Sequence, residues 1–228
     1  MKTSQTQRNA FTLIELLVVI AIIAILASLA IPAITSALIK GQLTQTASNG
    51  KQLYTAGLQM ANDGVSSGDA RLGWPGDLAN LASTGGGGSN VTPVTTVTGY
   101  ITALQTFGYL SAVDAGKILV APGITAWNGT SLFSAQNNCA FKIYKTTSAD
   151  SASNLFCATK NFTYGSPLSA TTVPYNAKGF VLVKRDGGAI ALNPNQATGN
   201  NQLLGLLPGR QSVLDNPVET AADILTQQ

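Results

Sequence analysis

Phe11-Thr12-Leu13-Ile14-Glu15-Leu16-Leu17-Val18-Val19-Ile20-Ala21-Ile22-Ile23-Ala24-Ile25-Leu26-Ala27 sets the terms for everything around it. Over residues 16–34 only Ser28 and Pro32 interrupt nineteen positions of apolar or small character. As a helix that stretch is about 28 Å long, enough to cross the hydrocarbon layer of a bilayer. Residues 1–10 are polar and carry Lys2 and Arg8 with no acid, and positive charge ahead of an apolar run keeps that end in the cytoplasm. An ordinary secretory signal places its small-residue cleavage site after the apolar core. Here the small residue, Ala10, comes first, so a cut between Ala10 and Phe11 removes the basic leader and leaves the apolar helix on the mature chain. Topology alone equally allows an uncleaved anchor.

Glu15 weighs against a plain anchor. A carboxylate inside a spanning helix costs several kcal/mol unless it is paired or near the interface, and such residues are by default functional. If the mature chain begins at Phe11, Glu15 is its fifth residue, one helical turn from a new α-amino group. The two charges are then placed to meet across a contact between subunits, where a mispacked register leaves both unpaired. On position alone, a carboxylate at the membrane edge that reaches into the headgroups fits as well.

The run from Ala10 through Ala27 resembles the class III signal of type IV prepilins and type II secretion pseudopilins. That resemblance implies cleavage between Ala10 and Phe11 by a prepilin peptidase, N-methylation of Phe11, and a role for Glu15 in filament assembly. It further implies a lipid-held subunit in the bacterial inner membrane with its remaining domain outside, which an assembly platform builds into a filament with other copies and other pilins. The family usually carries Gly before the scissile bond, where this chain has Ala10. Pro32 falls where many such proteins have a helix-bending proline, in keeping with the way proline kinks a helix. The resemblance is dense over about the first 35 residues and loose beyond them.

The remaining sequence reads as the extension of that helix and a modest domain. Residues 36–63 keep apolar positions near helical spacing, among them Leu38, Ala47, Tyr54, Leu58 and Ala61, with Gly41 and Gly50 as weak points and Asn62-Asp63-Gly64 as a stop. A helix over residues 11–63 is about 80 Å long, more than a small globule buries. Residues 64–228 form the globular part: a connector with Trp74-Pro75-Gly76 as an aromatic turn and Gly85-Gly86-Gly87-Gly88 as a flexible run, then a short helix over residues 100–110 with Leu104, Phe107 and Leu110 in the core. Residues 108–122 loosely resemble a stretch of secretion pseudopilins. Two hairpins follow. The first pairs the segments around Cys139-Ala140-Phe141 and Phe156-Cys157-Ala158; the second pairs residues 180–184 with 189–192 across Arg185-Asp186-Gly187-Gly188. The expected fold is α+β and pilin-like, a long N-terminal helix packed by its second half against a small antiparallel sheet.

Centring the first hairpin on Ser148 sets Cys139 opposite Cys157, and two cysteines in an exported domain suit a disulfide. Closing a loop with 17 residues between the cysteines is worth about 3 kcal/mol in the chain-entropy model. Two buried free thiols are the alternative. Asp215, Asn216, Glu219 and Asp223 match no calcium-loop template and read as a solvated tail, so no metal and no cofactor is expected.

Composition excludes several functions. The 228 residues contain no histidine, the commonest general base and metal ligand, and no nucleophile stands beside a visible base; an enzyme is not expected. Outside the leader the 13 Lys and Arg fall to eleven, against ten Asp and Glu, which leaves no basic stripe for nucleic acid. Three readings stand: a type II secretion pseudopilin, a type IV pilus subunit, and a single-pass anchored module whose Ser/Thr/Asn-rich domain grips a surface ligand.

Overall fold

The computed structural model describes residues 12–81, 92–129, 133–198, 204–209 and 219–228. Ala10, Phe11, the four-glycine run, Asp215 and Asn216 lie outside them. The chain divides into two compact units, Met1–Lys40 and Gly41–Gln228, and the division falls inside one helix.

That helix, α1, spans Leu13–Ser67, about 82 Å at the standard rise. It starts two residues later and ends four residues later than the sequence suggests, because Asn62-Asp63-Gly64 does not stop it; the Ser66 and Ser67 hydroxyls donate to the Asn62 and Asp63 carbonyls in the last turn. Gly64 is instead a close-approach site, with Leu72 backbone where a Cβ would sit. Pro32 lies within α1; it has no N–H to give the carbonyl four residues back.

In the second unit, α1 lies on a four-stranded antiparallel sheet ordered β1 (Phe141–Ile143), β2 (Leu155–Thr159), β3 (Phe180–Lys184) and β4 (Ala189–Leu192). Gly50 and Gly57, spaced by two turns, let the sheet's large side chains come up to the helix backbone. A Cβ on Gly50 would stand 2.7 Å from Val183, and one on Gly57 would stand 2.6 Å from the Tyr100 hydroxyl and 3.3 Å from Phe156. Of the two glycines expected to weaken the helix, Gly50 is therefore part of the contact face, while Gly41 is exposed with nothing within 4 Å of its would-be Cβ. Phe156 packs edge-on against Tyr54, Trp74 and Tyr100, and the Arg185 guanidinium lies 5.1 Å over the Trp74 ring. Pro75 does not make a simple turn after Trp74; it opens the short helix α2 (Pro75–Ala79), a position where its missing N–H costs nothing.

Helix α3 (Val97–Thr106) overlaps the expected segment but starts three residues before it and ends four residues short, at the Phe107 cap; its start is capped by the Thr96 side chain, which accepts from the Gly99 amide. Leu104 and Leu110 are buried, whereas Phe107 is only half-buried under the Arg71 guanidinium. Helices α4 (Ala112–Ile118) and α5 (Ala135–Asn138) complete the described α-helices. The opposite face of the sheet is covered by a second apolar cluster that includes Tyr144, Phe162, Leu182, Leu204 and Leu207. The α+β arrangement expected from the sequence is the one formed.

The β3–β4 hairpin pairs as read, Phe180 with Leu192 and Val183 with Ala189. The first hairpin does not. Cys157 faces Ile143 across the strands, four residues from Cys139, because the intervening loop is wide and pinned by side chains: Asp150 accepts from the Thr147 amide, the Asn154 side chain and the Gly209 amide. Both cysteines are buried free thiols, so the expected bridge is not formed here. Burial pushes the Cys139 thiol up to about 11 and raises Cys157 as well. A bulge on the other side of β2, between Leu155 and Cys157, turns Phe156 as well as Cys157 toward α1.

Among the described residues, Glu219 and Asp223 do not belong to a solvated tail. Lys142 and Glu219 form an ion pair at 2.5 Å with each side chain 6% exposed. The Tyr144 hydroxyl donates to the same carboxylate at 2.6 Å and the Tyr164 amide at 3.2 Å. Desolvation lowers the Lys142 pKa against the opposing pull of Glu219. Asp223 is buried too, accepting from the Thr220 amide and hydroxyl. Beyond it the chain closes the β1 edge: the Lys145 amide donates to the Asp223 carbonyl, and the Leu225 amide to the Ile143 carbonyl.

Candidate functional site: the apolar half of the first helix

From Leu13 to Leu38 the large aliphatic side chains of α1 are between 46% and 81% exposed. Among the described residues this is the one helix long and apolar enough to cross a membrane. It is apolar all round rather than striped, the pattern of a helix that needs an apolar medium or partners on every side. Two of its hydroxyls are turned onto the helix's own backbone: Ser28 donates to the Ile25 carbonyl at 2.8 Å and Thr35 to the Ile31 carbonyl at 2.9 Å.

At its start stands Glu15. One carboxylate oxygen, Oε2, accepts from both the Thr12 amide and the Thr12 hydroxyl at 2.8 Å, while the Glu15 amide donates to the Thr12 hydroxyl at 3.3 Å. The Leu16 amide reaches the Thr12 carbonyl. This is a reciprocal capping box, in which Thr12 and Glu15 satisfy helix-terminal donors for each other. The carboxylate also sits at the positive end of the helix dipole. Thr12-Leu13-Ile14-Glu15 spells the capping-box pattern, a local partner for Glu15 beside the expected α-amino group of a neighbouring subunit or the headgroups. Among the described residues Oε1 receives no hydrogen bond.

The candidate residues separate clearly. Glu15 and Pro32 lie in the exposed apolar half, and Cys139 and Cys157 lie in the core of the second unit. No group of three His, Cys, Asp or Glu side chains gathers among the described residues.

Residues 6–31 match the family model described as the prokaryotic N-terminal methylation motif. The chain thus carries a class III prepilin-type signal, that of the type IV pilin and pseudopilin family. The long helix and four-stranded sheet form an α+β, pilin-like fold, and the motif points to a structural, type IV pilin-like protein of the kind prepilin peptidase processes. No curated protein and no solved structure matches the chain.

Proposed function

We propose that this protein is a structural subunit of a type II secretion pseudopilus. Prepilin peptidase cuts between Ala10 and Phe11, Phe11 is N-methylated, and the apolar helix rests in the inner membrane with the sheet domain on the extracytoplasmic side. An assembly platform then moves it, with other copies and other pilins, into a helical filament. The observation that carries the reading is the exposed aliphatic surface of α1 with one carboxylate at its head. Van der Waals packing of such helices replaces lipid contacts at little cost, and Glu15 fixes the register by meeting the amino group of a neighbouring chain. Pro32 bends the helix within the packed array. The preference for a secretion pseudopilus over a type IV pilus rests on the loose likeness of residues 108–122.

The test is Glu15→Ala. Membrane insertion and the fold of the sheet domain stay as in the wild type, while filament assembly is lost. Filaments in normal number overturn the reading and favour the anchored module, which has no use for the carboxylate.

A further inference from the structure

Burial along α1 begins at Leu43, and one side chain from far along the chain grips that first buried turn. The Tyr175 hydroxyl donates to the Gln42 carbonyl at 2.9 Å and lies 2.6 Å from the Thr46 hydroxyl. With its one proton spent on Gln42, the Tyr175 oxygen accepts from Thr46. Both side chains are buried, Thr46 at 2% and Tyr175 at 7% exposure.

The backbone that delivers Tyr175 is unfavourable. Tyr175 and its neighbour Asn176 both lie in the left-handed region, with φ of 63° and 50°. Asparagine tolerates that region; a bulky aromatic seldom adopts it. Such a conformation persists only where the surroundings over-determine it, and here they do. The buried Asn161 amide donates to the carbonyls of Asn176 at 2.7 Å and Gly179 at 2.8 Å. Gly179 itself packs so close that a Cβ there would stand 2.6 Å from Leu43. Asn161 follows β2 and Gly179 precedes β3, so the grip on the helix is rooted in the two central strands of the sheet.

We propose that Tyr175 is a positioning residue that fastens the first buried turn of α1 to strands β2 and β3, so that tension on the helix during assembly passes into the sheet instead of peeling the helix from it. The load-bearing role rests on the filament reading above; the fastening itself does not. When a helix lying on a sheet is pulled from its N-terminal side, its first buried turn opens first. A hydrogen-bonded clamp at that turn therefore protects all the later contacts.

The experiment uses the full chain in lipid nanodiscs and measures amide hydrogen exchange in the wild type, Tyr175→Phe, Thr46→Val and Thr46→Ser. Tyr175→Phe keeps the ring and removes both hydrogen bonds. Exchange at residues 43–49 is expected to rise about tenfold, the scale of losing a net hydrogen bond from a local opening, with residues 57–64 and strands β2 and β3 unchanged. Thr46→Val is expected to give a smaller rise at the same residues, and Thr46→Ser to restore the wild-type pattern. Unchanged exchange at residues 43–49, or an equal rise throughout the sheet, overturns the clamp. In cells, the Tyr175→Phe subunit is expected to insert normally and yield several-fold fewer filaments; filaments in wild-type number overturn the load-bearing role. Failure of the filament reading itself is recognised separately, by Glu15→Ala assembling normally.

Discussion

The two halves of α1 belong to one continuous helix and find partners in opposite ways. Residues 13–40 contain no glycine and present Leu, Ile and Val on every side. Residues 41–67 carry Gly50, Gly57 and Gly64 on the face that meets the domain, and polar residues such as Lys51, Gln52, Gln59 and Asn62 on the other. The second half is packed within its own unit, whereas the large aliphatic side chains of the first are exposed. An apolar surface of that size in a water-soluble monomer is an interaction site by default. In the proposed function, lipid and then other copies of the helix fill that need.

The contrast is broken most severely at Glu15, where alanine is expected to abolish assembly without touching the domain. A paired substitution sharpens it next. Phe156→Ala, among Tyr54, Trp74 and Tyr100, is expected to destabilise the domain by about 3–5 kcal/mol, read as a lower denaturation midpoint. Leu29→Ala, at a site 72% exposed, is expected to leave that midpoint in place and weaken only assembly. Equal effects of the two on domain stability remove the distinction between the halves.

Within the domain, Lys142→Met strands the Glu219 carboxylate in the core and is expected to cost about 3–5 kcal/mol, whereas Lys142→Met with Glu219→Leu recovers most of that loss. Thermal denaturation of both variants checks it. A double variant as unstable as the single one means the buried pair is not the source of the effect.

The thiols give the smallest effect. Protein isolated without reductant and then unfolded is expected to show two titratable thiols, and none if Cys139 and Cys157 are bridged. In the folded state they are expected to resist thiol reagents at neutral pH. Because burial raises the Cys139 pKa from its ordinary 9.0 to about 11, its contribution to stability is complete below pH 9 and is lost as pH rises through 11. The denaturation midpoint is expected to fall across that window in the wild type and to fall less in Cys139→Ala.

Much of this was legible in the sequence because it is written in local pattern. The apolar run, the helix that continues it and the hairpin across Arg185-Asp186-Gly187-Gly188 each follow from periodicity or turn chemistry. What was missed depends on partners distant in sequence. The Lys142–Glu219 pair spans 77 positions, so Glu219 looked like part of a free tail. The first hairpin slid because Asp150, Arg185 and Gly209 shape its loop from three separate segments. Gly50 looked like a weak point in the helix because its value lies in Val183 and Phe141, distant in sequence, that press on it. At the candidate site Glu15 was legible as a charge out of place, but its pairing with Thr12 was overlooked despite being local.

Everything at the N-terminus depends on the chain being cut ahead of its apolar helix. Mass spectrometry of the protein recovered from membranes tests this most directly. The account predicts a mature chain beginning at Phe11 and bearing one methyl group on its α-amine; a chain that retains Met1 and residues 2–10 would contradict it.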